Sequence, residues 1–166
     1  MSRHKPAPGH VERHHPLQNS CFGCGPSNEH GLQLEFFFDE DAHTAFCKFN
    51  LPAKYQGPPG HAHGGIIATI LDEIAGRSQM GDPSLPRFMF TGKLEVKYRK
   101  NAPIGRPLRI VGKAGKVKGR AAEAWAGMYD ENGALLAEAS TVLFDVPQET
   151  LDTTDLNALG WKIYPE

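Results

Sequence analysis

The sequence predicts an α+β domain in which an antiparallel β-sheet wraps around one long central helix. Residues after His63 carry the single convincing helix pattern of the chain, and six other segments alternate between apolar and polar residues, as strands do. The resulting order of elements is β-β-α-β-β-β-β. One helix among six strands is too few for a doubly wound parallel fold, so an antiparallel sheet packed on that helix is the economical architecture.

The chain before the helix divides into an arm, a turn, two strands and a loop. Residues 1–20 are rich in His, Pro and Arg without a period, and we expect a poorly ordered, flexible arm. Residues 21–31 contain three Gly and one Pro and should form a structured turn. Residues 32–39 and 44–50 alternate in polarity and predict a strand hairpin. A Pro- and Gly-rich loop follows over residues 52–62.

The predicted helix, residues 66–81, has two different sides. One side is apolar and consists of Ile66, Ile67, Ile70, Leu71 and Ile74. The other side has small residues around one carboxylate: Ala68, Thr69, Asp72, Ala75 and Gly76. A surface helix would carry Lys and Glu there. Because small residues let another element come close, we expect a second packed layer on this side, supplied by a partner subunit.

After a turn at residues 81–87, the remainder of the domain is predicted to be β. The predicted strands are Phe88–Arg99, Leu108–Lys118, Ala121–Tyr129 and Ala134–Val146. Asp130–Gly133 has the composition of a tight hairpin turn between the last two. The predicted domain therefore covers residues 21–148, and residues 149–166 form a C-terminal tail.

Composition narrows the function classes. The formal net charge is −1, from 18 Lys and Arg against 19 Asp and Glu, which gives no global reason to expect nucleic acid or an anionic membrane as partner. No apolar run reaches the roughly 18 residues of a membrane span, and residues 1–20 lack the apolar stretch of a secretory signal. Three cysteines cannot complete a disulfide framework. We therefore expect a cytoplasmic protein with reduced thiols.

His63-Gly64-Gly65 opens the predicted helix. Two glycines there leave backbone N–H groups of the first turn uncapped and sterically open, and the helix dipole favours an anion beside them. The oxyanion of an acyl-transfer reaction needs such donors, each contributing about 3–4 kcal/mol when well placed. On the glycines alone, a helix entry without chemistry is the simpler interpretation.

Asp72 follows Gly64 by eight residues, about two helical turns, in a segment that is otherwise apolar or small. An ionised carboxylate there is costly, and desolvation should raise its pKa and make it a better base or nucleophile. A hydrogen bond to a neighbouring strand is the structural alternative. Glu73 is the rival carboxylate, but Arg77 four residues later predicts an ion pair that explains Glu73 without a catalytic role.

The pattern Cys21-x-x-Cys24 has the spacing of half a tetrahedral zinc site. His14, His15 or His30 could complete that site. The alternative is a tight turn with two semi-buried thiols, and we expect that turn and no bound metal.

These motifs together resemble those of the hotdog-fold acyl-CoA thioesterases, specifically the PaaI-type and 4-hydroxybenzoyl-CoA thioesterase-like branch. The central match is YQGPPGHAHGGIIATILDE, residues 55–73, in which an acidic residue stands eight positions after the first Gly of His-Gly-Gly. CFGCGPSNEHGLQLEF at residues 21–36 and LEVKYRKNAPIG at residues 94–105 are also similar to that family. The resemblance extends from about Cys21 to Val146.

The resemblance implies a thioesterase that hydrolyses an acyl-CoA without a cofactor. The thioester carbonyl would lie against the backbone N–H of Gly64 or Gly65, and Asp72 of the neighbouring subunit would act as base or nucleophile. His63 would orient the thioester or the leaving group. Thr91, seven residues before Tyr98, matches the residue that positions the water. The resemblance thus implies an obligate homodimer, often paired into a tetramer.

Substrate-binding residues follow from the same resemblance. In that family a polar residue often lies about seven positions before His-Gly-Gly, and in this chain Gln56 is at that position. Because coenzyme A carries phosphates, we expect contacts from Arg99, Lys100 and Lys118, although basic residues on a solvated strand are the default interpretation. The acyl group cannot be read from the sequence.

Two other functions are compatible with the pattern. One is a hotdog dehydratase or hydratase, whose sites generally pair a His with an acid in another arrangement than this spacing. The other is a non-catalytic acyl-CoA or fatty-ligand binding module. Replacing Asp72 separates an enzyme from a binding module, since a binding module has no turnover to lose.

Overall fold

The computed structural model describes residues 12–39, 42, 44–81 and 86–162 of the chain. These residues form seven strands and two α-helices. In chain order they are β1 (Glu12–His14), β2 (Phe37–Asp39), β3 (Thr44–Asn50), α1 (Gly64–Met80), β4 (Met89–Tyr98), β5 (Pro107–Lys118), β6 (Ala121–Tyr129), β7 (Leu135–Asp145) and α2 (Gln148–Asp152). A 3-10 turn, Ala53–Tyr55, precedes α1.

The strands form one antiparallel sheet in the order β1-β2-β3-β5-β6-β7-β4, and α1 packs against β3 to β7. The helix approaches β5 closely at Gly112, where an added Cβ would lie 2.3 Å from the Ile74 carbonyl oxygen. The absence of a side chain at this position lets the helix backbone lie directly on the sheet. The predicted fold class, a sheet around one long helix, is confirmed.

The core lies between α1 and the sheet. Ile67, Ile70, Leu71 and Ile74 of the predicted apolar side are at most 4% exposed, and burying each contributes about 1.5–3 kcal/mol. Within the described ranges, none of the helices is long and apolar enough to span a membrane. The apolar side of α1 is therefore used for packing against its own sheet.

The strand predicted over residues 32–39 is shorter in the structure. Only β2 is regular, although Leu32, Leu34 and Phe36 are buried as their alternation indicated. The N–H groups of Leu32 and Leu34 donate to the carbonyl oxygens of Phe22 and Gly23. Gln33 has a φ of 52°, which interrupts extended geometry. The alternation predicted burial correctly but overestimated the length of the strand.

The prediction of a poorly ordered arm over residues 1–20 is wrong for residues 12–20. β1 pairs with β2, and His15 and Leu17 are buried. Leu17 also pairs with Lys162 of the predicted tail, where the Trp161 ring packs edge-on against Phe88 at 5.0 Å. Residues 1–11 and 163–166 lie outside the described residues. Within the described ranges, two backbone hydrogen bonds join Leu17 to Lys162, so the first strand region and the predicted tail hold each other in place.

His15 makes stability depend on pH. It is 2% exposed and stacks on Phe38, and neither ring nitrogen has a hydrogen-bond partner among the described residues. Burial, with a smaller contribution from the Arg77 charge, lowers the pKa of His15 from 6.5 to about 4. As the pH falls below about 6.5, the unfolded chain binds a proton that the folded chain does not. The stabilisation is therefore complete above pH 6.5 and is lost between pH 6.5 and 4.

Replacing His15 with Phe should remove this dependence. Between pH 7 and pH 5 the wild-type free energy of unfolding should fall by about 2 kcal/mol more than that of His15→Phe, a difference that follows from the shift to about 4. Urea denaturation of both proteins at both pH values measures it. Equal losses in the two proteins would show that His15 does not titrate in this range.

Candidate active site

The N-terminus of α1 is capped by the side chain of His63. His63 is extended, with φ −65° and ψ 135°, and its Nδ1 accepts a hydrogen bond from the Gly65 N–H at 3.0 Å. The expectation that the first turn is uncapped is therefore wrong for Gly65. Because Nδ1 accepts, a neutral His63 ring carries its proton on Nε2 and can donate it outward.

Gly64 is the remaining donor at this end of α1. Its N–H has no acceptor among the described residues, while its carbonyl oxygen accepts from the Tyr98 hydroxyl at 2.8 Å. Tyr98 was missed as a site residue, because in the sequence it served only as the landmark for Thr91. Tyr98 lies 34 residues after Gly64 in the sequence, so the hydrogen bond between them could not be predicted from local spacing. Gly64 and Tyr98 form the donor half-site.

Asp72 and Thr91 form the carboxylate half-site. The Thr91 hydroxyl donates to Asp72 Oδ1 at 2.7 Å, across from helix to strand. Partial burial raises the pKa of Asp72, and the Thr91 hydrogen bond opposes part of that rise. A β-bulge between Thr91 and Lys93 changes the register of β4 against β7 and orients Thr91 next to the helix. The structure thus brings these two predicted residues together.

The two half-sites are separate within one chain. Gly64 and Asp72 are eight residues apart on α1, which corresponds to about 12 Å along the helix axis. On β4, Thr91 pairs with Leu143 and Tyr98 pairs with Ala137, at different ends of β7. One thioester carbonyl cannot contact both half-sites of a single chain.

The predicted pairing of Glu73 with Arg77 is not the arrangement found. Arg77 is 4% exposed, donates to the Pro16 carbonyl oxygen at 2.5 Å and to Cys24 Sγ at 3.2 Å, and lies over the Phe36 ring. Glu73 instead points toward the 21–25 turn, and burial raises its pKa to about 7. The ion pair was predicted from the i,i+4 spacing alone. The groups that accept hydrogen bonds from Arg77 in place of Glu73 lie on segments distant in the sequence.

The predicted substrate-binding residues fall in three places. Gln56 Oε1 accepts from the Gly60 N–H at 2.7 Å and shapes the loop before α1. Arg99 forms an ion pair with Glu138, next to Lys100 at the Tyr98 end of β4. Lys118 lies at the other end of the sheet, level with Phe90 of β4. The pairings that connect them across the sheet are Lys118 with Ala121, Ala121 with Phe144, and Phe144 with Phe90. The structure therefore separates Lys118 from Arg99 and Lys100.

Cys21 and Cys24 form a cluster with Glu73 of α1. The two Sγ atoms and a Glu73 carboxylate oxygen are all within 4.8 Å of one another. None of the predicted histidines is in this cluster: His15 stacks on Phe38, His30 is exposed, and the side chain of His14 lies outside the described residues. A glutamate, not a histidine, is the third group beside the thiols.

Comparison with known proteins finds similarity to thioesterases. Residues 59–137 match the model of the thioesterase superfamily. The acyl-coenzyme A thioesterase THEM4 of Xenopus laevis is 29% identical over 114 residues, which are 69% of this chain and 50% of the relative. The chain thus spans about half the length of that relative.

Solved structures share the fold. A crystal structure of a thioesterase superfamily protein aligns with a TM-score of 0.69 and 25% identity, over 76% of this chain and 61% of that one. A Streptococcus mutans protein bound to acetyl-CoA aligns with a TM-score of 0.57 and 21% identity, over 63% of this chain and 82% of that one. The chain therefore shares its helix-wrapped sheet with these structures, and its residues 59–137 are similar to the thioesterase superfamily.

Proposed function

We propose that the protein hydrolyses an acyl-CoA thioester to a free acid and CoA. The observation that carries the proposal is the half-buried Asp72 carboxylate, which accepts a hydrogen bond from Thr91 of β4. Asp72 lies on α1, the same helix whose N-terminus offers the Gly64 N–H. The Xenopus laevis relative is an acyl-coenzyme A thioesterase, and the Streptococcus mutans protein is bound to acetyl-CoA. These likenesses favour CoA as the thiol of the substrate.

The complete site forms between two copies of the chain. Within the described residues β4 is the last strand of the sheet, and Phe90 and Tyr98 on it are 59% and 55% exposed. A long exposed strand edge of this kind favours pairing with another strand. A homodimer that pairs β4 with β4 joins the donor half-site of one subunit to the carboxylate half-site of the other.

One antiparallel register achieves this junction. In this register Thr91 lies opposite Tyr98 of the partner subunit. Asp72 then approaches the partner subunit's Gly64. The same pairing explains why the small-residue side of α1, with Thr69, Asp72 and Gly76, is only half-buried in a single chain.

In the reaction, the thioester oxygen accepts from the Gly64 N–H at the helix N-terminus. Asp72 takes a proton from water as the water oxygen bonds to the carbonyl carbon, and the negative charge forms on the thioester oxygen. When the C=O bond reforms, the C–S bond breaks, and CoA leaves with the proton returned by Asp72. Thr91 keeps Oδ1 occupied, so that Oδ2 faces the water.

The remaining predicted residues take supporting roles. His63 holds the Gly65 N–H and leaves its Nε2 proton for the thioester or the leaving group. Arg99 and Lys100 lie beside the donor half-site, where we expect the CoA phosphates, whereas Lys118 is too far along the sheet to join them in one subunit. In this assignment Asp72 acts as a base; attack by its carboxylate would instead form an acyl-enzyme anhydride.

Release of free CoA tests the function. Wild-type protein should release thiol from at least one member of a panel of aliphatic, aromatic and hydroxylated acyl-CoAs, measured with a thiol-reactive dye. Hydration of an enoyl-CoA without thiol release would favour the dehydratase alternative. Acyl-CoA binding without turnover across the whole panel would contradict the proposal and favour a binding module.

A further inference from the structure

We propose that Cys21, Cys24 and Glu73 form a zinc site that joins the 21–25 turn to α1. The two Sγ atoms and the Glu73 carboxylate oxygen lie within 4.8 Å of one another. In a tetrahedral zinc site, with Zn–S bonds of about 2.3 Å, neighbouring ligand atoms are about 3.5–3.8 Å apart. The three side chains therefore need to move by about 1 Å or less to bind one ion.

The turn that carries the thiols is held in place before any ion binds. The Gly25 N–H donates to the Cys21 carbonyl oxygen at 2.8 Å, and the intervening Phe22 and Gly23 accept from Leu32 and Leu34 at 2.8 and 3.0 Å. These bonds fix both ends of the Cys-x-x-Cys pair. Such preorganisation suits a metal knuckle, because the chain has little further ordering to undergo on binding.

Gly23 provides the space for the third ligand. A Cβ on Gly23 would lie 2.3 Å from the Glu73 carboxyl carbon. Any larger residue would displace the carboxylate from between the two cysteines. The close approach of Glu73 to this turn, and not to Arg77, is the feature that the spacing of the sequence could not reveal.

Charge balance also favours a divalent cation. Arg77 donates to Cys24 Sγ at 3.2 Å, and Cys24 is 2% exposed. Two thiolates and a carboxylate carry a charge of −3, which Zn²⁺ and the single positive charge of Arg77 neutralise. Thiolate ligands select zinc over magnesium or calcium. Cys21 is partly exposed, so water can occupy the fourth position.

A Cys21–Cys24 disulfide is the competing interpretation, and it accounts for less. It would consume the free cysteine side chain that Arg77 contacts, Cys24. It would also leave the mostly buried Glu73 carboxylate without a function, since no hydrogen bond to that carboxylate is found within the described ranges. A metal ion uses all three groups.

Metal titration of chelator-treated full-length protein tests the site. Zinc should bind at one ion per chain in competition with a chromophoric chelator, and cobalt should give a thiolate charge-transfer band and intense tetrahedral visible bands. At free zinc about 100 times the dissociation constant, the melting temperature should rise by about 5–10 °C.

Matched variants locate the ion. Glu73→Gln should weaken zinc binding by at least about 10-fold, and Cys21→Ser, which leaves one thiolate ligand, should reduce the cobalt charge-transfer band to about half or less. Asp72→Asn, one residue away on the helix, should bind zinc as tightly as wild type. These readouts do not depend on thioesterase activity, so the zinc site and the proposed function can fail independently. Substoichiometric zinc, cobalt spectra without the charge-transfer band, or a Cys21–Cys24 disulfide in anaerobically purified protein would overturn the proposal.

Discussion

Asp72→Asn is expected to lower kcat for acyl-CoA hydrolysis by about 10²–10⁴-fold, the contribution of a positioned general base. Asparagine keeps the oxygen that accepts from Thr91 at 2.7 Å, so the helix and β4 stay in contact. What is lost is the carboxylate oxygen that takes the proton. KM should change little, because Asp72 contacts the water and not the bound thioester. Steady-state thiol release on the best acyl-CoA measures both constants.

The stability of Asp72→Asn is the control for this result. Burial disfavours the ionised carboxylate of Asp72, so the neutral amide should leave the free energy of unfolding unchanged or slightly higher. Retained acyl-CoA binding with lost turnover would identify an enzyme. Activity within about threefold of wild type would contradict the assignment of Asp72 as the base.

Gly64→Pro should lower kcat by about 10²–10³-fold, the effect of losing one oxyanion donor. Proline has no N–H, and position 64 is the first residue of α1, where proline suits the helix. The preceding His63, at ψ 135°, already has the extended conformation that proline requires. The Gly64 carbonyl that accepts from Tyr98 is retained. The substitution therefore removes the hydrogen-bond donor, and the proline Cδ takes the place of the amide hydrogen.

Gly64→Ala is the matched control, since it keeps the N–H. A Cβ at position 64 would lie 3.5 Å from the Tyr98 hydroxyl oxygen, an ordinary contact. The alanine variant should stay within a few-fold of wild type, and circular dichroism of both variants should show an intact helix. Equal loss in both variants would show that space at Gly64, and not its N–H, is what the reaction needs.

Mixing the two inactive variants tests whether the half-sites come from different subunits. A mixed dimer of Asp72→Asn and Gly64→Pro chains contains one site with both defects and one with neither. Random exchange should therefore recover about a quarter of the wild-type activity, because half of the dimers are mixed and each has one intact site. No recovery after confirmed subunit exchange would place both half-sites in one chain.

The sequence predicted the fold well where local patterns and burial agree. The long helix after His63, the hairpin turn at Asp130–Gly133 and the four strands after the helix appear within a few residues of their predicted bounds. Each is long and strongly periodic, so that its own side chains decide its conformation. The segment from residue 32 to 36 shows the limit: its alternating residues are buried, yet their hydrogen bonds go to the 21–25 turn.

Contacts between residues far apart in the sequence could not be predicted from the sequence alone. The local sequence was sufficient to predict His63, Gly64, Asp72 and Thr91 as site residues. Motif spacing and the presence of a carboxylate among small residues are both local properties. The local sequence also indicated an ion pair between Glu73 and Arg77. It could not show that Pro16 and Cys24 compete for Arg77 from more than 50 residues away.

The sequence by itself therefore determined the fold class, the helix that carries the site, and the residue types available for acyl transfer. Tertiary structure alone decided that His63 occupies the Gly65 N–H, that Tyr98 binds Gly64, and that Glu73 joins the two cysteines. The physical reason is that helix and strand formation depend on neighbours a few residues apart. Hydrogen bonds and metal ligands between segments depend instead on how the sheet, the helix and the 21–25 turn pack together.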